Sequence, residues 1–199
     1  MTRRDFRNPP DDERVSFYRP EHLPGVEVPR ADKCVRSWVW FHTTYSVCNA
    51  LEFPGSAQYV YRARVRTAGA KHLLIMEPGE VHASRMQTAP ATFRVLFIPQ
   101  GLVVSAAEEL GVGPRSRHFS TEPLAHRPLR TMLCKLHRAL ESSTTSALER
   151  QSRFAACLRG LLEVAAARTT LTEPPQAAWA ACASFASSAV WLAYRLIPI

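Results

Sequence analysis

The five cysteines, Cys34, Cys48, Cys134, Cys157 and Cys182, include no C-x-x-C pair and no zinc-type spacing, and their number is odd. A disulfide framework or a zinc module is thereby excluded. The thiols read as small buried apolar groups in a reducing compartment. No G-x-G-x-x-G turn or P-loop is present, so the backbone cradles that hold dinucleotides and nucleoside triphosphates are missing. There is no G-x-S-x-G elbow, and no cysteine sits in a protease-like context, so no catalytic residue is assigned. Met1 to Arg14 is charged and proline-containing with no apolar run, which excludes a secretory signal and points to the cytoplasm.

What is present is ordinary globular material. Hydrophobic residues make up 46% and charged residues 21% of 199 positions, enough for one core and an appendage. The formal charge is +8, and 22 of the 25 basic residues are arginine, spread along the chain instead of gathered. A DNA-binding surface needs its cations on one face so that several phosphates are neutralised together. Only short bursts such as Arg62, Arg64 and Arg66 occur, and i, i+2, i+4 spacing places these on one side of a strand as a solvated face.

Residues 1–15 hold a single aromatic, Phe6, beside charges and the Pro9-Pro10 pair, and read as a flexible arm. From Val15 to about Pro99 short apolar or alternating runs are punctuated by turns, the pattern of many short strands. The runs are Val15 to Tyr18, Val35 to Phe41, Tyr45 to Leu51, Gln58 to Val65, His72 to Met76 and Phe93 to Ile98. Turn residues such as Pro24-Gly25, Pro54-Gly55, Ala68-Gly69 and Pro78-Gly79 separate them. An antiparallel unit of this kind protects its edges best by closing into a barrel.

After Gln100 the period changes to that of helices. Leu102 to Leu110 is a short helix ended by Gly111, and a longer one runs from about Leu124 to Leu140 with Leu129, Met132, Leu133, Leu136 and Leu140 on one stripe. A second long helix begins at Ser146, where Ser146-Ala147-Leu148-Glu149 has the form of a capping box, and carries Leu158, Leu161 and Leu162. The loop of residues 142–145 is short enough to make the two helices antiparallel neighbours.

Three strings carry a resemblance: Trp40-Phe41-His42-Thr43-Thr44-Tyr45-Ser46-Val47; then Glu52 and Gly55; then Leu73-Leu74-Ile75-Met76-Glu77-Pro78-Gly79-Glu80-Val81-His82. In this order they resemble the N-terminal, arabinose-binding-like domain of AraC-type transcription regulators. There a strand ending in histidine leads into a Tyr-Ser strand, a Glu-x-x-Gly turn follows, and a Pro-Gly-x-x-His strand closes the barrel. The resemblance extends over about residues 16–167. It implies a mainly β fold, a cupin-like β-barrel (jelly roll) followed by a C-terminal antiparallel α-helical dimerisation unit. The expected division is an arm at 1–15, a ligand-sensing barrel at 16–105, a helical dimerisation unit at 106–167 and an Ala/Ser-rich tail at 168–199. The implied function is the effector-sensing and dimerisation part of an AraC-family transcriptional regulator.

A cupin barrel invites a metal, and metal-binding cupins resemble one another in an H-x-H followed by a glutamate, with a further histidine on a later strand. Here Trp40 stands two before His42, and Ser46 and Val47 stand where the glutamate belongs, leaving only His42 and His82. Two imidazoles without a carboxylate make a poor site, so no metal or other cofactor is expected and a cupin-type metal-dependent enzyme is the alternative reading. The two histidines are either satisfied strand-end residues or part of a binding mouth with Trp38 or Trp40, Tyr45, and Tyr59 or Tyr61. Such a mouth of ring faces and polar tips suits a small organic effector, a sugar, amino acid or aromatic acid. Homodimerisation is expected through Leu129, Met132, Leu136, Leu140, Leu158 and Leu161.

Complete members of the family continue past the position of Pro174 with helix-turn-helix units that read DNA. Ala177 to Tyr194 instead runs 18 residues without a charge, a segment expected to be a frameshifted or shortened replacement. Specific DNA binding is therefore expected only through a helix-turn-helix domain that this chain lacks. The stretch touches the lower length of a membrane span, but Ala and Ser contribute little transfer energy and no basic cluster flanks it, so no membrane partner is expected.

Overall fold

A computed structural model describes residues 12–113 and 118–169. The first eleven residues of the expected arm and the whole of the Ala177 to Tyr194 segment lie outside the described residues.

Nine strands come first: β1 (Arg14–Tyr18), β2 (Val28–Cys34), β3 (Val39–Phe41), β4 (Thr44–Glu52), β5 (Ser56–Tyr61), β6 (Arg64–Gly69), β7 (Leu73–Met76), β8 (Val81–Gln87) and β9 (Ala91–Pro99). Three helices follow: α1 (Gln100–Glu109), α2 (Arg127–Glu141) and α3 (Ala147–Thr169). The strands form two antiparallel sheets, ordered β1-β2-β9-β4-β7 and β3-β8-β5-β6. The fold is the mainly β, cupin-like jelly roll followed by helices. Among the described residues no helix is long and apolar enough to cross a membrane.

Strands β4, β7 and β9 of the five-stranded sheet are covered on both faces, while β1 at its edge is exposed, and strand parity divides their side chains. On β4 and β9, Tyr45, Val47, Leu96 and Ile98 join Leu73 and Ile75 in one core with the helices. Their neighbours in sequence, Ser46, Cys48, Val95 and Phe97, face the other sheet. This two-sided burial explains why β7 and most of β9 are apolar runs without polar alternation.

Several expectations about the strands need correction. Gln58 to Val65 is not one strand but a hairpin, with Arg62 and Ala63 at φ +48° and +58° forming its two-residue turn between paired Tyr61 and Arg64. Both central residues take the left-handed region required to match strand twist, a role that usually shows as Asn-Gly and here leaves no sequence signal. Arg62 therefore does not share a face with Arg64 and Arg66. Val35 to Phe41 contains only the short β3, and Val28–Cys34 and Val81–Gln87 are strands that their Pro, Arg, Asp and Ser content disguises.

Helix α2 starts later than its periodicity indicates. Leu124 instead exchanges two backbone hydrogen bonds with Leu73, both at 2.9 Å, and the His126 ring caps the helix by accepting from the Leu129 N–H at 3.1 Å. Helix α3 is capped by the Ser146 hydroxyl accepting from the Glu149 N–H, while the Glu149 carboxylate turns to Arg153 instead of closing a box. The two helices run antiparallel. Arg150 near the start of α3 bonds the Ala139 carbonyl near the end of α2, and Gly160 further along α3 sits against Leu129 near the start of α2.

The residues expected at a subunit interface lie inside this chain. Leu129, Leu136, Leu140, Leu158 and Leu161 are at most 6% exposed in the core between helices and sheet, and Met132 packs partly buried against it. The stripe has the helical period that the sequence indicates. What covers it is β4, β7, β9 and the other helix, because a single sheet face is broad enough to take both helices.

Candidate functional site

Between the two sheets lies a cavity of about 190 Å³. Its walls come from strand parity: Ser46, Cys48 and Ala50 on β4, Phe93, Val95 and Phe97 on β9, and Leu74 and Met76 on β7 form one side. Trp38, Trp40 and His42, spaced i, i+2, i+4, form the other with Tyr59 and His82. The lining is overwhelmingly apolar and rich in rings.

The rings form a connected series. Trp38 meets Trp40 edge-on at 5.2 Å between centroids, Trp40 lies 5.0 Å from His42, and His42 lies 4.4 Å from Phe97 and 5.2 Å from His82. Register produces this, since Trp40 is the direct cross-strand partner of His82 and Trp38 N–H donates to Ser84 Oγ. Burial, and then the neighbouring His82, pushes the His42 pKa down to about 4. Burial likewise pushes His82 down to about 4. Both imidazoles are therefore neutral at neutral pH. Burial also raises Tyr59, which stays a phenol, and Cys48, which at about 12 stays a thiol.

Two buried polar atoms of this lining have no hydrogen-bond partner, Trp38 Nε1 and His82 Nδ1. Several other polar groups are committed. Gln87 Nε2 donates to the carbonyls of Cys34 and Ala89 at 2.6 Å each. Arg36 is paired with Glu13, and Arg30 with Asp32 at 2.9 Å. Among the described residues no three His, Cys, Asp or Glu side chains converge to hold a metal ion.

Of the expected binding residues, Trp40, His42, Tyr59 and His82 are brought together here. Tyr45 is not, because its odd position on β4 turns it to the helical side, where it meets Phe119 at 5.7 Å. Tyr61 points inward with Tyr59 but is walled off, its hydroxyl accepting from the Glu77 N–H at 3.0 Å. Phe93, Phe97, Met76 and Cys48 escaped the sequence reading, since which face of a doubly buried strand looks into the cavity depends on parity.

The Glu77-Pro78-Gly79-Glu80-Val81-His82 string is structural machinery for this wall. Glu77, 6% exposed, accepts from Arg62 at 2.7 Å and from the Phe119 N–H at 2.5 Å, with His118 Nδ1 at 3.1 Å. Gly79 takes φ +80° and donates to the His42 carbonyl at 2.8 Å, which ties the turn to β3. The string thus anchors the hairpin, the loop before α2 and the strand that presents His82.

The family model of the AraC-like ligand binding domain matches residues 54–158 of the chain. The chain belongs to that family. The match runs from the Gly55 turn through the cavity strands into α3, so it spans the wall and the helices behind it. The solved structure of the AraC-like transcriptional activator CuxR is similar, with TM-score 0.55 and 15% identity, over 81% of this chain and 57% of that one. An apo ToxT variant from Vibrio cholerae gives TM-score 0.54 and 13% identity, over 77% of this chain and 61% of that one. At these identities the two structures speak for the fold of the AraC-like domain, and the chain spans about three fifths of their length. No curated protein matches the chain.

Proposed function

We propose that this AraC-like domain is the effector-sensing part of a transcriptional regulator and binds a small organic molecule in the cavity between its sheets. The observation that carries the reading is the ring-lined cavity itself, shaped for one small ligand and built by the same strands that hold the helices. On β9, Val95 and Phe97 face the cavity while Leu96 and Ile98 face the helices. Arg94 on that strand grips Glu141 at the end of α2 through two bonds of 2.5 Å. A ligand pressing on β9 therefore has a short mechanical route to α2 and α3. DNA contact belongs to helix-turn-helix units, not to this domain.

A homodimer is part of the reading. With the leucine stripe buried, a second copy would dock on the outward side of α3, where Leu148 is 73% exposed and, two turns further on, Ala155 and Ala156 are exposed as well. The competing reading, a metal-dependent cupin enzyme, requires metal content and turnover.

A thermal-shift screen of the chain with sugars, amino acids and aromatic compounds, with and without divalent metals, separates the readings. A ligand binding only the folded state at a hundred times its Kd stabilises it by about 2.7 kcal/mol. Stabilisation by an organic compound without metal supports sensing. Metal-dependent consumption of that compound overturns it.

A further inference from the structure

The chemistry of the cavity narrows the ligand class, and this inference rests on the sensing reading above. Size comes first. A dry apolar cavity of ~150 Å³ is known to hold benzene, so about 190 Å³ admits one ring with a small substituent or two fused rings.

Charge comes next. A buried carboxylate needs a cation, because taking the ion out of water costs several kcal/mol even after relaxation. The two arginines of the lining are already paired, Arg30 with Asp32 and Arg36 with Glu13; burial keeps His42 and His82 neutral, and the third histidine of the lining, His72, accepts from the Gly69 N–H through Nδ1. An aromatic acid or an amino acid would enter with its charge unanswered.

Polarity decides between sugar and aromatic. Each sugar hydroxyl buried without a partner costs ~1–3 kcal/mol, and a monosaccharide brings several. The Ser84 hydroxyl is held by the Trp38 backbone and the Gln87 amide by two carbonyls, which leaves Ser46, Gln58 and Tyr59 in an otherwise mostly apolar lining, too few polar side chains to answer every hydroxyl of a polyol. Trp38 Nε1 and His82 Nδ1 have no partner and lie buried just beneath the lining, so a ligand reaches either with a small turn of its ring. Trp38 Nε1 can only donate, and a neutral imidazole has one donor and one acceptor nitrogen. One or two polar hydrogens or lone pairs on a ligand would answer them, while Trp40 and Phe97 present ring faces for offset or edge packing.

We propose that the effector is an uncharged aromatic molecule of one ring or two fused rings carrying a single O–H or N–H group, in the chemical class of phenols and indoles.

The full chain is titrated with p-cresol, indole, toluene, benzoate and arabinose near neutral pH, reading the melting temperature and tryptophan fluorescence. The expected result is saturable stabilisation by p-cresol and indole, and toluene binding roughly tenfold weaker for lack of one hydrogen bond. Benzoate and arabinose are expected to have no effect. Ala57→Leu, which fills the cavity from β5, abolishes the p-cresol shift; His82→Phe, which keeps a ring but removes the nitrogen, brings p-cresol down to the affinity of toluene. Stabilisation by benzoate or arabinose with p-cresol silent overturns the ligand class and leaves the sensing reading standing. Unchanged p-cresol binding in both variants places the compound elsewhere and overturns the proposal. A silent response to all five compounds overturns it as well, and only a silent wider screen would remove the sensing reading with it.

Discussion

His42, just past the end of β3, and His82 on β8 hold their rings 5.2 Å apart in the cavity wall, and each is kept neutral by burial. Buried this closely together, the two imidazoles are most stable while neither has taken up the second ring proton that would make it a cation. A third histidine, His137 on α2, is fully buried with neither ring nitrogen partnered, and burial pushes its pKa down to about 3.

These depressed values fix the sign of the acid response. Between the ordinary 6.5 and about 4, the unfolded chain binds protons that the folded chain refuses, so stability is fully present above pH 6.5 and falls as the pH drops. Melting temperatures measured from neutral pH downward should decline through this window. His137→Leu removes one contributor and an unsatisfied buried group, so it should flatten the decline and raise stability at the acid end. A pH-independent melting temperature across the window would show that these rings are already solvated.

Much of this was legible in the sequence, and the failures have physical causes. The three-string order around His42, Gly55 and His82 pointed to the right family and fold, and Trp40, His42, Tyr59 and His82 do meet in one cavity. Tyr45 was misplaced because Tyr45 and Ser46 sit on a strand with both faces buried, where hydrophobicity cannot report orientation. The hairpin at Arg62-Ala63 was invisible because its residues are not turn formers, and tertiary pairing of Tyr59 with Arg66 imposes the turn. The leucine stripe was correct in phase, but periodicity says only that a face is covered, not whether the cover is the same chain.

The same turn supplies a stability test. Ala63 at φ +58° occupies a region that costs a residue with a Cβ ~1 kcal/mol or more. Ala63→Gly should therefore stabilise by about 1 kcal/mol, seen as a rise of about 2–4 °C in Tm for a chain of this size. A loss of stability would mean that the flexibility gained by the unfolded chain outweighs the relieved strain.

The Arg94–Glu141 pair should matter more than the surface pairs on α3. Arg94 is 9% exposed and joins β9 to the last residue of α2 by two hydrogen bonds of 2.5 Å. Glu141→Gln leaves a buried guanidinium without its countercharge, and the expected cost is ~2 kcal/mol, below the full value for a wholly buried pair because Glu141 is partly solvated. Breaking the exposed Arg159–Glu163 pair at i, i+4 should cost less than about 0.5 kcal/mol. Urea titrations can rank the two from midpoints at constant slope. Equal effects would mean that Arg94 finds water when Glu141 is lost.

The last prediction separates folding from association on the helices. Leu136 is fully buried and Leu158 is 6% exposed, both in the core that joins α2 and α3 to the sheet. Placing a carboxylate at either position buries an unpaired charge, so Leu136→Glu or Leu158→Glu should cost about 4 kcal/mol or more and abolish folding instead of producing a folded monomer. Leu148 is 73% exposed near the start of α3, so Leu148→Glu should change the stability of a single chain by no more than about 0.5 kcal/mol. If copies associate through the outward face of α3, the wild type should scatter light as a dimer at tens of micromolar and Leu148→Glu should shift it toward the monomer with its circular dichroism intact. A folded, monomeric Leu136→Glu protein would reverse the assignment, because it would show that the buried stripe opens to meet a second copy.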